Sequence, residues 1–288
     1  MDTDKPMAAE GGGNVAEPAR VGALLAIAAT RGVARLDAEL LLAALLRVPR
    51  STLLAFAERD VDALTAAMFE AGLERLAAGE PLAYITGVRE FWSLPLSVGP
   101  GVLVPRPETE LLVELCLARL DAQPHRVADL GTGSGAIALA LARERPRWQV
   151  VATDRSRAAL EMTAINARRL QLTQLELRQG DWCEALGEES FDAILSNPPY
   201  IAPDDAALPV LRHEPQEALV AGDAGFADLL QIAACARPRL VAGGLLLLEH
   251  GTGQSTRLAR HLKQLGYRDI SSHRDLAGHD RVMLAIWP

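Results

Sequence analysis

Val127-Ala128-Asp129-Leu130-Gly131-Thr132-Gly133-Ser134-Gly135 is an apolar run that breaks into a loop with glycine at alternate positions. The run reads as a buried strand, and the loop joins it to the helix that follows. Glycines let the backbone turn sharply and approach a ligand closely, while the open N–H groups of a helix start attract negative charge. Strand, glycine loop and helix in this order open a parallel α/β sheet. The chain beyond His125 keeps that alternation, with strands predicted over residues 126–130, 149–153, 175–179, 191–196, 244–250, 267–271 and 281–286. The intervals between the first five hold crossover helices, and the last two strands are close enough to pair antiparallel, which gives a seven-stranded, mostly parallel sheet.

Upstream, Val104-Pro105-Arg106-Pro107-Glu108-Thr109-Glu110 fixes an extended entry with two prolines, and a helix begins near Glu108 with acidic residues in its first turn. Before it, residues 84–104 alternate β-branched and aromatic with polar residues around Gly87, Ser93 and Pro95, the pattern of a hairpin. Residues 19–79 are helical in period, from Leu24-Leu25 through Leu40-Leu41-Leu42 to Leu73 and Leu76. Asp37 and Ser51 stand where N-caps belong, and Gly79 with Pro81 ends the last helix. Residues 1–18, with Gly11-Gly12-Gly13 and acidic side chains, bury too little to order themselves. The domain reading is therefore a flexible tail over 1–18, a helical bundle over 19–83, a hairpin linker over 84–104 and an α/β domain over 105–288.

The 288 residues are 49% hydrophobic and 23% charged, enough for a packed core, and the net charge of -8 lacks the basic footprint of a duplex-DNA binder. Lysine occurs only at Lys5 and Lys263, so arginine carries nearly all the positive charge. Cys116, Cys183 and Cys235 match no zinc spacing and are odd in number, so we expect reduced thiols, no metal and a cytoplasmic protein. No stretch approaches the ~20 apolar residues of a membrane span.

The glycine loop alone fits two ligands. Gly131, Gly133 and Ala136 also satisfy the dinucleotide fingerprint, so a nicotinamide cofactor and S-adenosylmethionine stand level there. Asp154 ends the second strand, where a carboxylate accepts both ribose hydroxyls of either cofactor or caps the helix starting near Ser156. Asp181 and Trp182 follow the third strand. They suit an adenine amino group and ring face, although Trp182 also fits as a core aromatic. The choice comes from Phe191-Asp192-Ala193-Ile194-Leu195-Ser196-Asn197-Pro198-Pro199-Tyr200. Proline cannot donate to a sheet ladder, so the strand stops at Asn197, on the carboxyl edge where ligands bind. The Asn197 side-chain oxygen and the Pro198 carbonyl accept hydrogen bonds from an NH2 group. They orient a nitrogen whose lone pair is delocalised and favour charge building on it during methyl transfer. Pro198 and Pro199 stiffen the loop, and Tyr200 offers a flat face to a planar amide or base.

These motifs, with the linker Gly87-Val88-Arg89-Glu90-Phe91-Trp92-Ser93-Leu94-Pro95-Leu96 and the run Leu246-Leu247-Leu248-Glu249-His250-Gly251, resemble the protein-(glutamine-N5) methyltransferases of peptide chain release factors. The resemblance covers nearly all the chain beyond the tail. It implies a class I S-adenosylmethionine-dependent methyltransferase fold, with an N-terminal bundle that helps to dock the partner. The implied substrate is the glutamine of the Gly-Gly-Gln motif in class 1 release factors. Cofactor-binding candidates are Asp129, Gly131, Thr132, Gly133, Ser134, Gly135, Asp154, Asp181, Trp182 and Asn197. Substrate-binding candidates are Asn197, Pro198, Pro199 and Tyr200, with Asn197, Pro198 and Tyr200 as the catalytic set. We expect a monomer that contacts neither membrane nor, directly, nucleic acid.

Two rivals share the chemistry. An adenine-N6 DNA methyltransferase uses the same tetrad but needs a basic target-recognition region, and a glutamine methyltransferase acting on a ribosomal protein is a nearer relative. A nicotinamide dehydrogenase is contradicted by the Asn-Pro-Pro-Tyr strand end. Arg106, Glu108 and Glu110 either shape the substrate entrance or start a helix and pair with one another. His213, Glu214 and Glu217 lie after the tetrad, where their spacing assigns them no task.

Overall fold

The computed structural model describes residues 19–172 and 174–288, so the tail expected over 1–18 lies outside the described residues. The chain divides into a unit ending at Leu82 and a unit running from Ala83 to Pro288. The first is helical, with Val21–Thr30, Arg35–Leu46, Arg50–Ala55 and Ala63–Ala77 closing on Leu24, Leu41, Leu42, Leu53, Phe69 and Leu73, all fully buried. Gly72 lets two of these helices approach, because a Cβ there would stand 2.6 Å from Leu41 Cδ2.

The helix starts differ from expectation. Ala34 and Pro49 occupy the N-cap positions, so Asp37 falls in a first turn and Ser51 inside a helix. An N-cap side chain serves only where the backbone is still extended, and here Asp62 is so placed: its carboxylate accepts the Thr65 N–H at 2.9 Å. After Pro81 the chain turns helical once more over Leu82–Thr86 instead of passing straight into the hairpin. A two-residue strand at Ala19–Arg20 pairs antiparallel with Asp60–Val61, too short to show an alternation in sequence.

In the second unit Val88–Phe91 and Leu94–Ser97 form the hairpin, turning at Trp92 (φ 51°) and Ser93 (φ 57°). Both turn residues take the left-handed backbone that tight hairpins require. The Trp92 N–H donates to Glu110 Oε1 at 2.7 Å and its indole N–H to Glu144 at 2.9 Å. Glu110 therefore anchors the hairpin instead of pairing with Arg106.

The sheet has seven strands: β1 Arg126–Leu130, β2 Gln149–Asp154, β3 Leu175–Gln179, β4 Phe191–Ser196, β5 Leu240–Glu249, β6 Arg268–Arg274 and β7 Asp280–Ile286. Their spatial order is β6-β7-β5-β4-β1-β2-β3. The five strands β3, β2, β1, β4 and β5 run parallel, while β7 pairs antiparallel with both β5 and β6. β5 begins four residues before its expected start: Leu240 already pairs with Phe191 of β4, and a register shift passes over residues 241–244 before pairing resumes at Leu245. β6 extends to Arg274 because an edge strand tolerates the polar run Ser271-Ser272-His273.

Strand β1 is the pivot. The chain winds from β1 through β2 to β3 on one side and then returns to place β4 on the other, with Leu130 opposite Ser196. The crevice at such a reversal receives ligands in open α/β sheets. It is flanked here by the loops that leave Leu130 and Ser196.

The expectation of three reduced thiols fails. Cys183 and Cys235 form a disulfide with Cα atoms 5.8 Å apart, joining the turn after β3 to the helix Ala227–Ala236. Fifty-two residues separate the two, and only the fold brings them within bonding distance. Cys116 remains a free thiol, buried, and burial pushes its pKa up to about 12.

Candidate active site

Two cavities meet at the crevice. The first is lined by Gly131 and Gly133 from the β1 loop, Asp154 from β2, Asp181 and Trp182 from the β3 turn, and Pro199 from the β4 loop. The second is lined by Arg106, Pro198, Tyr200, Ile201 and Leu211. Both share Leu103, Asn197 and Ala218. A donor in one cavity and an acceptor in the other would face each other across Asn197.

The first cavity is braced by its own carboxylate. Asp154 accepts the Gly133 N–H at 3.0 Å on Oδ2 and the Ser156 N–H at 2.8 Å on Oδ1. The helix-capping alternative thus holds in part, although Ser156 is the N-cap proper and accepts from Ala159. Each carboxylate oxygen keeps a lone pair for a hydroxyl in the cavity. Burial raises the Asp154 pKa above the ordinary aspartate value against the pull of the two N–H donors. Trp182 packs its ring on Gly131, where a Cβ would stand 3.1 Å from Trp182 Cζ3. Only glycine allows that approach, and Gly131 also has φ 71°.

Other glycine-loop residues stand behind this wall. Asp129 is fully buried, and its Oδ2 accepts the Thr132 hydroxyl at 2.6 Å and the Ala138 N–H at 3.2 Å. Thr132 ties the loop to β2 by its N–H to the Thr153 carbonyl. The Ser134 carbonyl accepts from the buried Asn166 amide, and Gly135, with φ 86°, caps the next helix. These four residues shape the loop, and the cavity wall is made by Gly131, Gly133, Asp154, Asp181, Trp182 and Asn197.

Desolvation raises the Asp129 pKa from 3.8 to about 7. The unfolded chain therefore loses this proton near pH 4, whereas the folded chain holds it to about pH 7. Asp129 favours the folded state most fully below pH 4, and its contribution declines as pH rises to about 7. In Asp129→Asn that decline disappears. The difference in melting temperature between variant and parent should move in the variant's favour from pH 5 to pH 8. A pH-independent difference would show that Asp129 is ionised throughout.

The tetrad rests on a buried network that the sequence did not announce. Asn197 Nδ2 donates to Thr109 Oγ1 at 3.1 Å, and the Thr109 hydroxyl donates to Glu249 Oε2 at 2.7 Å. The Tyr200 hydroxyl donates to Glu249 Oε1 at 3.1 Å. Thr109 and Glu249 are buried to 4% and 1% exposure, so neither carboxylate oxygen looks to water for a partner. Burial raises the Glu249 pKa to about 7, and the Tyr200 hydroxyl is held protonated by burial and by Glu249. Behind the tetrad, Gln254 Nε2 donates to the Tyr200 carbonyl at 3.1 Å.

Arg106 pairs with Glu214, whose other oxygen accepts the Val104 N–H at 3.0 Å, so Glu214 holds the extended segment 104–106 beside the second cavity. Glu217 and Ala218 line the first cavity from the segment after the tetrad. Among the described residues no group of three or more His, Cys, Asp or Glu side chains is placed to hold a metal, and no helix is long and apolar enough to cross a membrane.

Residues 107–219 match the methyltransferase small domain, and residues 23–87 match the PrmC N-terminal domain. Among solved structures, a methyltransferase from Pyrococcus furiosus superposes with TM-score 0.53 at 19% identity, over 74% of this chain and 96% of that one. The 16S rRNA N2 G1207 methyltransferase of Thermus thermophilus, solved with AdoMet and guanosine, gives TM-score 0.53 at 23% identity over 70% of this chain and 50% of that one. At these identities the likeness establishes the fold. The fold and the methyltransferase small-domain match, together with relatives that cover most of the chain, make this an S-adenosylmethionine-dependent methyltransferase. The release factor glutamine methyltransferase of Coxiella burnetii is 48% identical over 252 residues, 87% of this chain and 91% of the relative. That of Escherichia coli is 46% identical over the same shares. The chain belongs to the release factor glutamine methyltransferase family.

Proposed function

We propose that this enzyme methylates the side-chain amide nitrogen (N5) of the glutamine in the Gly-Gly-Gln motif of class 1 release factors, acting as a cytoplasmic monomer without contacting nucleic acid directly. The observation that carries the reading is the direction of the Asn197 amide. Its Nδ2 is committed to Thr109, which leaves Oδ1 as an acceptor where the two cavities meet.

Bound S-adenosylmethionine supplies an electrophilic methyl group. Asp154 would hold its ribose hydroxyls, Asp181 its adenine amino group and Trp182 its ring face, with Gly131 and Gly133 keeping the loop clear of side chains. In the second cavity Asn197 Oδ1 and the Pro198 carbonyl would accept the two N–H groups of the glutamine amide. Gripped so, the nitrogen would be aimed at the first cavity; as its lone pair forms the new N–CH3 bond the methyl–sulfur bond would break, leaving S-adenosylhomocysteine, and the acceptors would stabilise the positive charge on the nitrogen. The N–H proton becomes acidic once the nitrogen is alkylated and leaves to water. No general base is needed. Tyr200 would flank the planar amide in the second cavity, Pro199 would face it from the wall of the first, and the N-terminal bundle would contribute to docking the protein substrate.

The test is mass spectrometry of the Gly-Gly-Gln tryptic peptide of a purified release factor, incubated with S-adenosylmethionine with and without the enzyme. A gain of one methyl on the glutamine, seen only with the enzyme, is the expected result. An unmodified peptide, alongside methylation of a ribosomal protein or of adenine in DNA, would replace this substrate with one of those.

A further inference from the structure

We infer that Thr109 and Glu249 are positioning residues that set which end of the Asn197 amide faces the substrate. The inference deepens the proposed function and rests on Asn197 being the amide grip.

A threonine hydroxyl has one proton to give. The Thr109 proton goes to Glu249 Oε2, so its oxygen is left to accept, and it accepts from Asn197 Nδ2. Asn197 then has no choice but to present Oδ1 to the cavity. Reverse the threonine, and Asn197 would turn its NH2 toward the NH2 it must bind, donor against donor. A carboxylate at position 249 prevents the reversal because it only accepts. Its second oxygen is filled by the Tyr200 hydroxyl, so one buried acceptor fixes both ends of the tetrad.

The direction holds only while Glu249 is ionised. A protonated Glu249 has a proton to donate to Thr109, which frees the threonine hydroxyl to point at Asn197. The groups facing Glu249 pull both ways. Burial and Glu108 raise its pKa, while the Thr109 and Tyr200 hydroxyls and Arg281 on β7 lower it, and the balance lies at about 7. The neighbouring His250 is kept neutral by burial, which lowers its pKa.

The experiment compares Thr109→Val, which keeps the shape and loses the hydroxyl, with Thr109→Ser, which keeps the hydroxyl. Thr109→Val should lose roughly 10- to 100-fold in kcat, the usual consequence of an unmatched buried polar group. Its Kd for S-adenosylmethionine should stay unchanged, and Thr109→Ser should recover turnover to within about threefold of the parent. The parent's kcat should also rise about tenfold per pH unit below pH 7 and level off above it, as one ionisation requires. In Glu249→Gln the rise should vanish, since the amide does not titrate. Equal loss in the Ser and Val variants would overturn the inference, since the methyl and not the hydroxyl would then matter. A Thr109→Val enzyme within twofold of the parent would overturn it as well. If Asn197→Ala also turned over normally, the grip itself would be wrong; if Asn197→Ala were inactive, only the positioning role would fall.

Discussion

Asn197→Ala should lower kcat on the intact release factor by roughly 10²- to 10³-fold, the scale seen when one preorganised hydrogen-bonding group aimed at a reacting centre is removed. The substitution leaves the Pro198 carbonyl as the remaining acceptor for the substrate NH2 group. One hydrogen bond lets the amide swing about its own axis, and in-line attack tolerates little misplacement. Cofactor affinity should change by less than about tenfold, because Asp154, Asp181 and Trp182 are untouched and a hydrogen bond contributes about 1 kcal/mol. Single-turnover kinetics with saturating S-adenosylmethionine separate the two effects. A variant that transfers methyl groups near the parental rate, or one that fails solely through lost cofactor binding, would remove Asn197 from the chemistry.

Part of this site could be read from residues close in sequence, and part could not. The tetrad and the glycine loop are local: each is a strand that stops abruptly, and the reason for stopping is written in proline or glycine. Asp154 and Trp182 are legible for the same reason, as the residues that end or follow strands on the carboxyl edge. Thr109 and Glu249 are not. Thr109 lies 88 residues before Asn197 and Glu249 lies 49 after Tyr200, so no local pattern links them. A signal did exist for Glu249: a carboxylate closing the apolar run Leu245-Leu246-Leu247-Leu248 needs a partner if it is buried. The Cys183–Cys235 bond escaped for a related reason, since an odd cysteine count gave no hint of which two the fold would bring together.

The rigidity of the tetrad also depends on a residue that no motif marks. Gly225 has φ 85°, and a Cβ there would stand 2.2 Å from the Tyr200 carbonyl oxygen and 2.9 Å from Gln254 Nε2. Neither neighbour can retreat cheaply. The Tyr200 carbonyl is held by Gln254, and the next residue, Ile201, is bridged to Val220 through N–H donation to the Leu219 carbonyl and acceptance from Ala221. Gly225→Ala therefore combines a left-handed backbone with a forced overlap, and each effect costs about 1–3 kcal/mol. For a unit of this size that predicts a melting temperature lower by roughly 5–15 °C. Relief of the overlap has to come from moving Tyr200, which shifts the tetrad as a body. The fall in kcat should then exceed what stability alone explains, measured well below the melting temperature. Gly222→Ala is the control: its methyl would touch Ala227 Cβ at an ordinary 3.7 Å, and both melting temperature and turnover should stay close to the parent. If Gly225→Ala behaved like that control, the backbone beneath Tyr200 would have to be looser than this hydrogen-bonded arrangement permits.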